Sequence, residues 1–434
     1  MAETDAPETV GGEPRVGETR VGAAGATADR TLRAALRRAD PLAWAFLAGA
    51  FVAVSFPVYW VLASVVPLFG GSEGHAADFL IYHRAGLRVL ADPATLYADS
   101  SFLYPPPSGV LFALAVQVPL AWGYLAFAAM NLAVLAGCLR LWERLVPAPP
   151  TGWARAAVWT VAFASAPALQ NLKYGQVNAL VLLVALGFLV LLRERPAWAG
   201  ALLAVGVWLK VYPAVLGLFM LTRRTWPALV GLGLGLVGIA VVLLPVFPAD
   251  LYVEYVTRVF AHLTDVTTTS TLNAGLPAVV ERLRLPADAL LVYVSAPFGP
   301  VAQAVGTAAL VGGVGAVAVA WWRGWRREWA AFALLAVVPI TSTLGWEYTF
   351  TLALPAVLAM LLAAREGALP VRLAALGAML VLFLQKPPES VMKWAVREIP
   401  DPFLDAFAAR FLIALAVLAG AAWAASRRAA RVSS

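Results

Sequence analysis

One cysteine and three histidines occur in 434 residues, and only 13% of the side chains are charged. The lone thiol, Cys138 in an apolar run, excludes a disulfide framework and a thiolate metal cluster, and it reads as a small core residue. His75, His83 and His262 are too scattered for a zinc-ligand spacing. There is no Walker A loop, no H-E-x-x-H and no D-x-D, so no metal and no cofactor are expected. Gly233, Gly235 and Gly238 do match G-x-G-x-x-G, but they lie in an apolar stretch that follows no strand, where close packing of helices is the expected role.

What is abundant is apolar sequence, 61% of the chain with a mean hydropathy of +0.79. A soluble domain carries about 25% charged residues, and a single soluble core stops growing near about 250–300 residues. Long apolar blocks repeated along 434 residues therefore need lipid as solvent. The fold class expected is an all-α polytopic membrane protein. The net charge of +7 does not point to nucleic acid, because the basic residues sit in short clusters between the apolar blocks, as orientation signals do.

Residues 1–40 read as a disordered cytosolic N-terminal tail, since residues 1–30 are too poor in large apolar side chains to order themselves. No cleavable signal peptide is expected, since the first apolar stretch starts only near Leu42. A single polytopic domain then fills 41–426, and 427–434 is a basic cytosolic end. Arg30, Arg33, Arg37 and Arg38 precede a first span at about 43–66 and place the N-terminus inside. Arginine clusters at 140–155, 193–195, 223–224, 323–327, 365–372 and 427–431 mark further cytosolic turns. Extracytoplasmic loops then fall at about 67–105, 171–178, 248–298, 343–348 and 386–406. The segment 106–120 is too short to span and reads as a dipping piece before a span at about 122–141. Residues 197–221 form a hairpin with Lys210 near its tip, and the total is 10 or 12 crossings with both termini inside. Tryptophans near predicted span ends, Trp60, Trp142, Trp226, Trp321 and Trp346, read as an interfacial belt.

Ionisable groups at membrane depth are costly and tend to mark function. The long first loop, 67–105, is the richest stretch. Asp78 opens a helix-like run in which Phe79, Tyr82 and Leu90 share a face, and a helix N-cap is its ordinary reading. The functional reading is a carboxylate held at the membrane surface beside Tyr82 and Tyr104. Tyr104 is followed by three prolines, which stiffen the return to the membrane or simply start a helix. A second polar cluster holds Asn171, Lys173, Tyr174, Gln176 and Asn178. Lys210 either snorkels or faces an anionic lipid headgroup.

These residues resemble glycosyltransferase family 87. Asp78-Phe79 to Tyr82, Ala85-Gly86, Asp92-Pro93, Leu96-Tyr97 and Tyr104-Pro105-Pro106 are similar to its first-loop signature. Gly175-Gln176-x-Asn178, Gly200 through Lys210-x-x-Pro213 to Arg223-Arg224-x-Trp226, and Gly345-Trp346-Glu347 follow in order, within roughly 45–365. The resemblance implies a GT-C fold and a polyprenyl-phosphate sugar donor, in keeping with the missing D-x-D motif of nucleotide-sugar transferases. It also implies a catalytic acidic residue in the first loop, at Asp78. Where the family commonly shows Ser-Pro-x-Ser-Trp-acidic-His, this chain has Thr343 for the proline and Tyr348 for the histidine. A tyrosine titrates near about 10 and cannot replace that histidine as a base at neutral pH.

The function expected on this resemblance is transfer of a hexose, mannose in the relatives, to an extracytoplasmic glycan or glycolipid acceptor at the cell membrane, by an inverting displacement. Asp78 would be the base, and Lys210, with Lys173 and Arg258 as lesser candidates, would hold the donor phosphate. Tyr82, Tyr104, Gln176, Asn178 and Glu347 would contact sugar or acceptor. Membrane lipids are the expected surroundings and nucleic acid is not a partner. A transporter or flippase of a lipid-linked or small solute is the competing reading, since interrupted helices suit such sites. A membrane scaffold comes third.

Overall fold

The computed structural model describes residues 31–36, 38–72, 76–99, 101–268, 270, 272–284, 295–297, 299–383, 406–407 and 409–433. Residues 31–36 of the expected disordered tail are helical, while residues 1–30, His75, most of the 386–406 loop and the side chains of the basic C-terminal end lie outside the described residues.

The chain is a polytopic α-helical membrane protein. Among the described residues, five helices are long and apolar enough to cross a bilayer: Pro41–Phe69, Leu120–Leu145, Trp226–Leu243, Pro300–Trp322 and Glu347–Ala364. We number the helices that build the architecture in chain order. They are α1 (Pro41–Phe69), α2 (Ala77–Ala91), α3 (Ser108–Ala115), α4 (Leu120–Leu145), α5 (Gly152–Ala164), α6 (Ala166–Tyr174), α7 (Asn178–Glu194) and α8 (Pro196–Leu209). After a 3₁₀ segment at Tyr212–Met220 come α9 (Trp226–Leu243), α10 (Pro300–Trp322), α11 (Arg327–Thr341), α12 (Leu354–Ala364), α13 (Leu369–Phe383) and α14 (Arg410–Ser433). A short antiparallel ribbon, Val266–Thr268 with Ser295–Pro297, decorates the segment between α9 and α10.

Several apolar segments are shorter than a full crossing because the chain breaks them at fixed points. Ser165, extended and followed by Pro167, separates α5 from α6. Lys210, also extended, separates α8 from the 3₁₀ segment, and Ser342 ends α11. Backbone freed in this way is tolerated at membrane depth only where protein or a polar cavity satisfies it. The Lys210 break lies within one cluster of polar side chains.

The short 106–120 piece is α3, eight residues long, followed by the span α4. Gly86 lets α2 lie against α3, since a Cβ there would sit 2.4 Å from the Phe112 carbonyl oxygen. In α9 the small-residue contact is made by Gly231 and Gly235 against α8, whereas Gly233 and Gly238 face open space, so only one glycine of the G-x-G-x-x-G pattern packs as expected. Trp142 is buried in the core and donates to the Pro355 carbonyl, 3.1 Å away, instead of joining an interfacial belt. Leu90 is exposed, and the buried face of α2 is completed by Ala85, Gly86 and Val89. Cys138 is buried against the Ala179 carbonyl.

Candidate active site

Asp78 is the second residue of α2 and not its cap: the N-cap is Ala76, which offers no side-chain bond. The carboxylate still lies in the first helical turn, where the positive end of the helix dipole favours it. It turns inward and hydrogen-bonds Gln176 and Tyr348. Burial pushes the Asp78 carboxyl up to about 6, and these two bonds together with the nearby Lys210 charge hold it from rising further.

Gln176 is presented by a tight local device. Helix α6 ends at Gly175, whose left-handed φ of 72° suits a residue without a side chain. A Cβ at Gly175 would also come within 2.6 Å of the Phe79 Cβ, so the glycine lets the turn close on α2 one residue beyond Asp78. The amide oxygen of Gln176 accepts from the Tyr82 hydroxyl at 2.9 Å and from Lys210 Nζ at 3.3 Å. Tyr104 OH lies 2.5 Å from Tyr82 OH and 3.3 Å from the same amide oxygen. Each hydroxyl has one proton, so the shorter contacts make Tyr82 the donor to Gln176 and Tyr104 the donor to Tyr82. With its oxygen occupied by donors, Gln176 meets the carboxylate of Asp78 with its amide nitrogen.

Lys210 reaches the same point from the α8 break. Its ammonium donates to Asn178 Oδ1 at 2.8 Å and stands 5.3 Å from the Tyr104 ring centre, 5.6 Å from Tyr212 and 5.9 Å from Tyr348. Asn178 opens α7 and is fixed by Asn171, whose Oδ1 accepts from the Asn178 backbone N–H at 3.1 Å while its amide nitrogen donates to Asn131. The Asn178 side-chain nitrogen is buried with no hydrogen-bond acceptor among the described residues. Such a group is expensive to leave unmet, and a ligand oxygen or water would satisfy it.

Asp78, Tyr82, Tyr104, Gln176, Asn178 and Lys210 therefore converge. The other three candidates do not join them. Lys173 donates to the Tyr59 hydroxyl at 2.9 Å and lies over the Tyr59 and Tyr174 rings. Arg258 pairs with Glu254 and bonds the Tyr97 carbonyl at 3.1 Å. Glu347 is buried with one carboxylate oxygen in an ion pair with Arg410, while its Oε2 has no hydrogen-bond partner among the described residues. The neighbouring Tyr348 takes the inward place instead, with its ring 6.0 Å from Tyr174 and 6.1 Å from Trp346. Tyr212 and Tyr348 are the two members of the cluster that were not expected as contacts. The substitution of Tyr348 for the family histidine was the available signal for one of them.

The sequence model of glycosyltransferase family 87 matches residues 102–344, more than half of the chain. The chain belongs to this family. The matched segment contains Tyr104, Gln176, Asn178 and Lys210, while Asp78 and Tyr82 lie before its start and Tyr348 lies after its end.

Curated relatives carry more specific names. A Mycobacterium tuberculosis protein (strain CDC 1551 / Oshkosh) named polyprenol-phosphate-mannose-dependent alpha-(1-2)-phosphatidylinositol pentamannoside mannosyltransferase is 30% identical over 166 residues, 35% of this chain and 38% of its own length. The Mycolicibacterium smegmatis polyprenol-phosphate-mannose-dependent alpha-(1-2)-phosphatidylinositol mannoside mannosyltransferase is 29% identical over 192 residues, 38% of this chain and 41% of that one. A protein of the same name from Mycobacterium tuberculosis (strain ATCC 25618 / H37Rv) is 30% identical over 204 residues, covering 38% of this chain and 45% of its own. The matches thus span less than half the length of each relative.

Proposed function

We propose that this family 87 protein transfers mannose from a polyprenyl-phosphate donor to a glycan or glycolipid acceptor outside the cytoplasmic membrane. The observation that carries this reading is the convergence of Asp78, held by Gln176 and Tyr348, with the Lys210 ammonium at a break between helices. The names of the relatives support the donor and a lipid-linked mannoside as acceptor. The arginine clusters support an arrangement with the ordered N-terminal end in the cytosol and Asp78 outside.

In the reaction the acceptor hydroxyl oxygen attacks the anomeric carbon as the bond from that carbon to the phosphate oxygen breaks. The hydroxyl proton passes to Asp78, and polyprenyl phosphate leaves with the bonding electron pair. A single displacement turns a β-linked donor into an α-mannoside. Lys210 stabilises the charge that grows on the leaving phosphate, in a water-poor site where one cation is worth far more than in bulk water. Two of its protons are engaged by Asn178 and Gln176, which leaves the third for a phosphate oxygen. The unmet Asn178 amide lies beside it as a second donor.

The transporter reading is weaker because the helix break at Lys210 and the start of α7 at Asn178 bring their polar groups to one cluster at one end of α7. The test is to incubate membranes containing the chain with radiolabelled polyprenyl-phosphate mannose and analyse the extracted lipids. New α-mannosylated lipid that depends on the chain supports the proposal. Movement of intact donor across the bilayer without new product overturns it.

A further inference from the structure

Helices α7, α8 and α11 run between two ends of the molecule. At one end lie Asn178, Lys210 and Ser342, which adjoin the candidate active site. Arg193 lies about 22 Å from Asn178 along α7, at 1.5 Å per residue. There Arg193 meets Arg224, from the loop after the 3₁₀ segment, and Arg327, the first residue of α11. With Leu192 and Thr225 these three arginines line a cavity of about 270 Å³.

The charges around this cavity do not balance. Glu328 is buried and already engaged, paired with Arg193 and 3.5 Å from Arg326. Among the described residues neither Arg224 nor Arg327 has a side-chain hydrogen bond or ion pair, and the Nη1 atom of Arg327 is buried without an acceptor. The Thr225 hydroxyl is occupied by Thr222 and the Phe219 carbonyl. A rule that places arginines in turns on one side of a membrane accounts for their number. It does not account for a guanidinium nitrogen buried with nothing to donate to, a cost that an oxyanion would remove. The Arg223-Arg224-x-Trp226 stretch is also a part of the family resemblance that the active site leaves unexplained.

We propose that Arg193, Arg224 and Arg327 form a second binding site, specific for a phosphate group, at the end of the bundle opposite Asp78. Drug-sized ligands occupy cavities of about 300–1,000 Å³. A cavity below that range suits a phosphate with a short ester, either the headgroup of an anionic lipid or a free phosphate. Basic pockets between membrane helices commonly take such headgroups. Occupancy would tie the ends of α7 and α11 together and so steady the helices that present Asn178 and Ser342.

The test uses the full chain in nanodiscs of dioleoyl phosphatidylcholine. Thermal unfolding is followed as dioleoyl phosphatidic acid is included or, separately, as inorganic phosphate is added. Parent protein, Arg224→Gln and Arg327→Gln are compared, with Arg323→Gln, outside the cavity, as control. Arg224 is exposed and makes no side-chain hydrogen bond or ion pair among the described residues, so its loss leaves folding intact. The parent and Arg323→Gln should be stabilised, and half-maximal stabilisation of Arg224→Gln should need about tenfold more ligand. A response to phosphate alone identifies a soluble ligand, and a response to phosphatidic acid only identifies a lipid headgroup. No stabilisation of the parent by either, or equal stabilisation of parent and Arg224→Gln, overturns the proposal.

Discussion

Gln176 holds the carboxylate of Asp78 while its amide oxygen accepts from Tyr82 and Lys210. The glutamine thereby fixes the carboxylate, the cation and the tyrosine pair relative to one another. Gln176→Leu keeps a similar volume but removes both ends of that bridge. We expect activity to fall by about 10²-fold, as displacement of reacting groups by an ångström can cost that much. Steady-state rates with saturating donor measure it, and a rate within threefold of the parent would show that the bridge is dispensable.

The Asp78 carboxyl, raised to about 6 by burial, must be ionised to accept a proton. Activity should therefore fall as pH drops through about 6. A carboxyl at about 6 in the fold and 3.8 as its ordinary value binds its proton more tightly when folded. Its contribution to stability is thus fully present below 3.8 and is lost as pH rises through about 6. Tyr348→Phe removes a bond to the charged form and should shift the acid limb of the rate profile to higher pH. An unmoved limb would separate Tyr348 from the base.

Lys210→Met retains the apolar stem and removes the charge. Donor use at limiting concentration should fall at least about tenfold, in line with the loss of a charge-assisted contact to phosphate. Folding should be preserved, as judged by the melting temperature. Unchanged kinetics at limiting donor would reduce Lys210 to a snorkelling cation.

The buried Glu347–Arg410 pair joins the segment before α12 to the start of α14. Removing one partner of a buried pair typically costs about 3–5 kcal/mol. Glu347→Gln should therefore lower the melting temperature far more than it alters donor affinity. A stable variant with weakened donor or acceptor binding would return Glu347 to the sugar site.

The membrane class was legible because apolar content and clustered arginines are properties of the chain as a whole. So were Tyr82, Tyr104, Gln176, Asn178 and Lys210 around Asp78, since few such residues interrupt the apolar blocks, whereas Lys173, Arg258 and Glu347 were expected there and have other partners. Side-chain direction was not. Glu347 and Tyr348 are adjacent in a 3₁₀ segment, where successive residues point about 120° apart, and nothing local says which faces inward. Arg410, which decides it, is 63 residues further along. Asp78 resembled a cap because it opens an apolar run, but the helix begins one residue earlier, at Ala77. Trp142 sits near a span end like its fellows, and only the Pro355 carbonyl, 213 residues away, shows that it belongs to the core.

The orientation is tested with single cysteines introduced at Thr95 and Trp325. An impermeant thiol reagent applied to intact cells should label position 95 and leave position 325 unlabelled. Labelling of 325 alone would reverse the topology and place Asp78 in the cytosol.

Asp78→Asn asks whether Asp78 is the base. Asparagine nearly preserves the volume, and because Asp78 is not the N-cap, no cap is lost. The variant should fold as stably as the parent, or more so at neutral pH, where the parent carries a buried charge. General-base catalysis is worth about 10²–10⁴-fold. With purified protein and labelled polyprenyl-phosphate mannose, turnover should fall by that factor at unchanged melting temperature. Turnover equal to the parent's would contradict it.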